Sequence, residues 1–295
     1  MLSHSQLTQR LEKMTGKRPT HFKPVQGGYT PAQRLIASFS DGSSVFVKVG
    51  TTELTTQWLC QEHYVYESLS GPFMPAYLGW DHDEEHPILL LEDLSHAFWP
   101  PPWNEKRVQQ VLEALEAVSA SSIAGLPLLE EAADLITGWR QVAKDPQPFL
   151  SLALVTEKWL EVALPTLLQN ENADAVKGDS LLHLDVRSDN ICFVHDRVLL
   201  IDWNGASYGN PQVDIAAWLP SLHSEGGPLP ESILPNAPEL ATLISGYFAS
   251  KAGLPIIPNA PYVRQVQKSQ LSSALPWVIR ALELPAADGP LSPPA

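Results

Sequence analysis

The segment Leu182–Ala206, LHLDVRSDNICFVHDRVLLIDWNGA, constrains the chain more than any other stretch. Two apolar runs, 190–194 and 198–202, flank His195-Asp196-Arg197 and predict a short β-hairpin. A hairpin brings the outer ends of its two strands together, so Asn190, which opens the first strand, meets Asp202, which closes the second. Asp185 follows an apolar run and opens the loop that precedes them. Asp and Asn are common turn residues, and any one of the three alone reads as a turn or a cap. Their joint spacing calls for a chemical reason.

An amide oxygen and a carboxylate on adjacent strand ends suit a hard cation such as magnesium, and Asp185 can face the same point. Phosphoryl transfer needs this kind of set. It is largely positioning and neutralisation of phosphate charge. One carboxylate orients the attacking hydroxyl and accepts its proton, while a carboxylate and an amide oxygen hold the metal.

The motifs around these residues are His183-Leu184-Asp185, Asn190, Ile201-Asp202-Trp203 and Gly209-Asn210-Pro211-Gln212-Val213-Asp214-Ile215-Ala216. Together they resemble the aminoglycoside phosphotransferase and choline kinase-like family, a branch of the protein kinase-like superfamily. Its pattern is His-Gly-Asp-(x4)-Asn, then Ile-Asp-Trp/Phe, then Gly-x-Pro-x-x-Asp-Leu-Ala. By that match Asp185 is the base and Asn190 and Asp202 are metal ligands. His183 braces the loop, and Asp214 holds it by hydrogen bonds. Leu184 departs from the family's glycine. Arg187 stands where protein kinases often carry a lysine that reaches the transferred phosphate, a contact an arginine makes bidentately; a surface salt bridge is the plainer alternative.

The resemblance implies an α+β, bilobal protein kinase-like fold, with a small antiparallel-sheet N-lobe over residues 1–94 and a larger, mainly helical C-lobe over 95–295. It implies a small-molecule kinase that moves the γ-phosphoryl group of ATP (or GTP), with Mg2+, onto a hydroxyl of a small acceptor such as an aminoglycoside, amino alcohol or sugar. The alternative is a catalytically silent nucleotide-binding module on the same fold, which predicts erosion of Lys48, Asp185, Asn190 or Asp202; all four are present. A protein kinase proper would place a longer activation segment ending in Ala-Pro-Glu before the Gly209 block, and the sequence has none.

The N-terminal third fits this expectation. Strands are predicted over 21–26, 32–40, 44–49, 76–80 and 87–92, with helices over 2–14 and 55–69. Lys48 interrupts the apolar third strand, and a lysine is costly to bury unpaired. The resemblance makes it the lysine that binds the α- and β-phosphates and pairs with a helix glutamate, with Glu62 as candidate and Glu67 as a weaker one. Gly27 and Gly28, between the first two strands, stand where a phosphate-covering loop belongs, since glycines let backbone amides approach phosphate oxygens. The resemblance also implies that Glu92 to Leu94, at the end of the fifth strand, bond the adenine edge through the backbone; an ordinary strand exit is the plainer alternative.

Beyond the proline-rich 98–103 stretch the pattern turns helical. Val108, Val111, Leu112, Leu115 and Val118 form one apolar face, with Asn104 as its cap. Further helices are expected near 129–143, 150–169, 211–222, 238–251 and 261–283, and a loose tail from Leu284. The resemblance covers roughly residues 20–220. Within the C-lobe, Glu225 and Glu231 are candidate acidic groups for an acceptor, and Trp203 and Trp218 read either as pocket lining or as core.

The formal net charge of −14 argues against a nucleic-acid partner, which needs a basic footprint, and is compatible with a cationic acceptor. No apolar run approaches the ~18 residues of a membrane helix, and the N-terminus lacks a signal-peptide core, so a cytoplasmic monomer or homodimer without membrane partners is expected. Cys60 and Cys192 read as buried small hydrophobes rather than a metal or redox pair.

Overall fold

The computed structural model describes residues 2–25, 28, 31–132, 136–258 and 260–291. They group into two compact units, Met1–Trp99 with Asp189–Gly205, and Pro100–Ser188 with Ala206–Ala295.

The first unit is built on a five-stranded antiparallel sheet: β1 (Pro19–Pro24), β2 (Gln33–Phe39), β3 (Ser44–Val49), β4 (Tyr77–Asp81) and β5 (Ile88–Glu92), in the order β1-β2-β3-β5-β4. Strand residues alternate between faces. Leu35, Ala37, Val47, Val49, Ile88 and Leu90 share one face and bury it against Leu7 and Leu11 of helix α1 (His4–Thr15). Full burial of each leucine contributes roughly 1.5–3 kcal/mol. Ser3 and Gln6 form a capping box at the start of α1, and Gly16, at φ 70°, ends it. Helix α2 (Glu53–Ser68) begins at a Thr52 cap and buries the stripe Thr55, Leu59, Glu62, Val65 and Tyr66.

The hairpin expected from the central segment is present as β6 (Ile191–Val194) paired with β7 (Arg197–Leu200). It belongs to the first unit because Phe193 and Phe98 exchange backbone hydrogen bonds at 2.9 Å and Leu200 N donates to Phe73 O at 2.8 Å.

The second unit is mainly helical, over Glu105–Ser119, Gly138–Lys144, Gln147–Leu150, Glu157–Asn170, Gln212–Ser224, Pro230–Ile233, Pro238–Ala252 and Val263–Ala281, with a small antiparallel pairing of Ser180–Leu182 with Ser207–Gly209. The region expected as one helix over 129–143 is instead a short 3-10 turn, Leu129–Ala132, and a separate helix from Gly138. At Gly138 a Cβ would stand 1.8 Å from the Gly246 carbonyl oxygen, so only glycine permits this approach of two helices. The tail is not loose as far as Leu291. Asp288 accepts from Thr156 N at 2.8 Å and Thr156 Oγ1 at 2.7 Å, Pro285 O accepts from Trp159 Nε1 at 2.7 Å, and Leu291 N donates to Ala153 O at 2.9 Å.

Cys192 is fully buried, and burial pushes its thiol up to about 12; Cys60 is only half-buried, contrary to the expectation of two core cysteines. No helix among the described residues is long and apolar enough to cross a membrane.

Candidate active site

Strand alternation sets the polar centre of the first unit. Lys48 lies between Val47 and Val49, so its side chain leaves the sheet on the face opposite α1. There its Nζ reaches Glu62 Oε2 at 2.5 Å and Asp202 Oδ1 at 2.7 Å. Lys48 is 8% exposed and Glu62 2%. Burial, the strongest single influence, favours the neutral amine, but the two carboxylates outweigh it, Asp202 ahead of Glu62, and hold the ammonium above the ordinary lysine range. Glu67, the weaker candidate, is exposed and faces His63 instead.

The β6–β7 register places Asn190 opposite Ile201, whose N–H donates to the Asn190 carbonyl at 3.0 Å, and Asp202 follows directly. The two oxygen-bearing residues therefore stand at the open end of the hairpin. Asp202 has φ 68°, a left-handed conformation that aspartate tolerates better than most residues. Among the described residues no group of three or more His, Cys, Asp or Glu side chains is arranged to hold a metal. The donor types at Asn190 and Asp202 fit magnesium, which keeps several waters and takes one or two protein ligands with substrate phosphates.

Gly27 lies outside the described residues. Gly28, at φ 76°, sits where a Cβ would come 2.7 Å from the Arg34 guanidinium carbon. Arg34 pairs with Lys48 in the β2–β3 register and so brings a second cation to the same face. Sequence reasoning passed over Arg34, although the alternation Gln33-Arg34-Leu35 against Val47-Lys48-Val49 carries the signal. At the end of β5, Glu92 is tied to Ala76: its carboxylate accepts from Ala76 N at 3.0 Å and its own N–H donates to Ala76 O at 2.9 Å. Leu94 packs against Cys192, Val194 and Leu199, and its carbonyl accepts from Ala97 N at 3.0 Å.

In the second unit, Asp185 and Arg187 form an ion pair, with Arg187 Nε 2.9 Å from Asp185 Oδ1 and Nη2 donating to Oδ2 at 3.3 Å. The loop that carries them is held from beneath by Asp214, 2% exposed, which accepts from His183 N at 2.7 Å and Leu184 N at 2.8 Å. Burial pushes the Asp214 carboxyl up to about 6 against the pull of these two donors. His183 Nδ1 accepts from Asp185 N at 3.2 Å, which places the histidine inside the loop as a brace. Leu184 has φ 62°, so the departure from glycine falls on a position where the backbone is left-handed.

The remaining candidates are engaged elsewhere. Glu225 accepts from Trp103 Nε1 at 2.8 Å and Ser188 Oγ at 2.6 Å, and Glu231 pairs with Arg280. Trp203 and Trp218 are fully buried and belong to the core.

No curated protein matches the chain. Among solved structures it is similar to a spectinomycin phosphotransferase, APH(9)-Ia, in complex with ADP and spectinomycin, at 13% identity and a TM-score of 0.61, covering 96% of this chain and 99% of that one. It is also similar to a type I macrolide 2'-phosphotransferase, at 18% identity and a TM-score of 0.51, over 97% and 99% of the two chains. A choline kinase from Cryptosporidium parvum matches at 11% identity and a TM-score of 0.52, over 89% and 88%. These likenesses give the protein kinase-like fold. The model of the phosphotransferase enzyme family (APH) matches residues 22–247. The chain belongs to that family and is a phosphotransferase acting on hydroxyl groups.

Proposed function

We propose that the protein is a small-molecule kinase that transfers the γ-phosphoryl group of ATP (or GTP) to a hydroxyl of a small, cationic acceptor. The observation that carries this reading is the buried Lys48 bracketed by Glu62 and Asp202. A buried ammonium shared by two carboxylates is costly to assemble for stability alone, and it is suited to receiving phosphate charge.

In this reading Lys48 binds the α- and β-phosphates and Glu62 fixes its direction. Gly27 and Gly28 cover the phosphates. The backbone from Glu92 to Leu94 bonds the base edge. Asn190 and Asp202 hold magnesium, which when bound neutralises phosphate charge. Asp185 orients the acceptor hydroxyl and takes its proton. Arg187 holds the Asp185 carboxylate and contacts the phosphate being transferred. His183 and Asp214 keep the loop rigid, so that Asp185 needs no reorganisation when substrate arrives. The protein works in the cytoplasm.

The test is a coupled ATP-consumption assay with magnesium across aminoglycosides, macrolides, amino alcohols and sugars, with Asp185→Ala as control. Acceptor-dependent turnover that the control lacks is the expected result. Tight Mg-ATP binding with no turnover across a widening panel would favour the silent module.

A further inference from the structure

The helix Gln212–Ser224 meets the catalytic loop at both of its ends. Asp214, in its first turn, accepts from His183 N at 2.7 Å and Leu184 N at 2.8 Å, ahead of Asp185. Glu225, its C-cap, lies roughly 16 Å further along the axis and accepts from Ser188 Oγ at 2.6 Å, directly after Arg187. The two carboxylates therefore hold opposite ends of the loop. We propose that Glu225 is a second positioning residue of phosphoryl transfer, which fixes Arg187 by holding Ser188 as Asp214 fixes Asp185 from the other side; the proposal rests on the kinase reading above.

The first support is where the restraint falls. Val186 is buried and Ser188 is tied to Glu225, so both neighbours of Arg187 are fixed. A long side chain whose backbone wanders cannot hold a reacting group as closely as catalysis needs. Glu225 is itself held. Its other oxygen accepts from Trp103 Nε1 at 2.8 Å, and Trp103 packs edge-on against the buried Trp218 of the same helix, at 5.4 Å and 64°.

The second support is that the position is a poor one for a carboxylate. The C-terminus of a helix carries partial negative charge, so an anion there is destabilising. Neither of these two donors, a hydroxyl and an indole N–H, is a cation that would offset the charge. What the carboxylate supplies is two acceptor oxygens, one for the serine and one for the indole. Hydrogen bonds to a charged acceptor are shorter and stronger than neutral ones, which suits a restraint on a loop better than it suits a helix end.

The experiment compares the wild-type chain with Ser188→Ala, Glu225→Ala, the double variant and Glu225→Gln, each checked for folding by thermal melting. Glutamine keeps both bonds without the charge: its oxygen accepts from the indole, and its amide donates to the serine oxygen, which can accept as well as donate. Two quantities are read. One is amide hydrogen exchange of the 186–190 segment; the other is hydrolysis of Mg-ATP to ADP and inorganic phosphate, in which water is the acceptor. Both alanine variants should melt nearly as wild type and exchange faster in 186–190. They should lose about 10- to 100-fold in kcat, with KM for Mg-ATP within about twofold of wild type. Glu225→Gln should recover most of the loss, and the double variant should be no slower than the slower single one, since the two residues form one link. Unchanged exchange in both alanine variants, unchanged kcat, a loss that Glu225→Gln shares in full, or losses that add in the double variant overturns the assignment. Failure of the kinase reading looks different: the wild type turns over no Mg-ATP, with water or with any acceptor of the panel above, while the exchange difference and its recovery by glutamine are still read.

Discussion

Arg187 forms an ion pair with Asp185, its Nε 2.9 Å from Oδ1 and its Nη2 donating to Oδ2 at 3.3 Å. The ion pair and its one hydrogen bond restrain the carboxylate's orientation, which a positioned base requires. Replacing Asp185 by alanine should lower turnover by at least ~100-fold, the usual effect of losing a positioned general base, while nucleotide affinity stays within about twofold. Near-normal turnover in that variant would remove Asp185 from the base role. Arg187→Lys keeps the charge but not the planar guanidinium that sets Nη2 against Oδ2, and should fall between wild type and Arg187→Met in kcat. Equal kcat in all three would leave Arg187 a plain salt-bridge partner.

The Lys48 cluster gives a stability prediction and a binding prediction from one geometry. Lys48→Met leaves Glu62 as a buried carboxylate without its ammonium, and should destabilise the fold by ~3 kcal/mol or more. Glu62→Gln should cost less, because Asp202 still pairs with Lys48. Denaturant unfolding reads both values, and the reverse order would mean that Glu62 is satisfied by other groups. Asp202→Ala should abolish the magnesium dependence of nucleotide binding, measured by titration with and without the metal; an unchanged magnesium requirement would count against Asp202 as a ligand.

The first unit was legible because its signals are local. The β-branched and aromatic run 45–49, broken by Lys48, and the apolar run 88–91 mark strands, and Glu62 could have been preferred over Glu67 outright, since it falls on the stripe of Thr55, Leu59 and Val65. The hairpin and the loop residues were readable from spacing. What escaped was set by distant partners. The Gly138–Lys144 helix has no local side-chain cap; its Trp139 and Arg140 N–H groups donate instead to Glu171 at 2.6 and 2.9 Å. The tail looked loose by composition, yet Asp288 accepts from both the N–H and the hydroxyl of Thr156, the residue that caps the Glu157–Asn170 helix. The Ser180–Leu182 and Ser207–Gly209 strands, three residues each, are too short to show a period.

Leu184 offers a test of backbone strain. At φ 62° a leucine is held where L-residues are disfavoured by ~1–2 kcal/mol, and glycine relieves this at some cost in unfolded-state entropy. Truncation to alanine keeps the strain and loses side-chain contacts. Leu184→Gly should therefore be more stable than Leu184→Ala by about 1 kcal/mol, the reverse of the usual order. Thermal melting of the two variants decides it, and an alanine variant equal to or above the glycine variant would show that the loop relaxes at this residue.

Asp214 couples the loop to pH in two opposite ways. Burial raises its carboxyl from 3.8 to about 6. The folded protein thus binds this proton more tightly than the unfolded chain does. The group favours the fold most below about pH 4, and that contribution is lost as pH rises to about 6 and beyond, amounting to about 3 kcal/mol by neutral pH. Asp214→Asn lacks this titration, so the stability of wild type relative to the variant should fall between pH 4 and 6.5 and level off above. Function runs the other way. The charged carboxylate accepts from both His183 N and Leu184 N, and protonation turns one oxygen into a donor facing an N–H. Turnover of wild type should decline below about pH 6 while the fold grows firmer, and the Asn variant should be slow at every pH. A stability difference that stays flat across this range, measured by melting in matched buffers, would mean that Asp214 keeps its charge in the fold and that the loop is held by the carboxylate throughout.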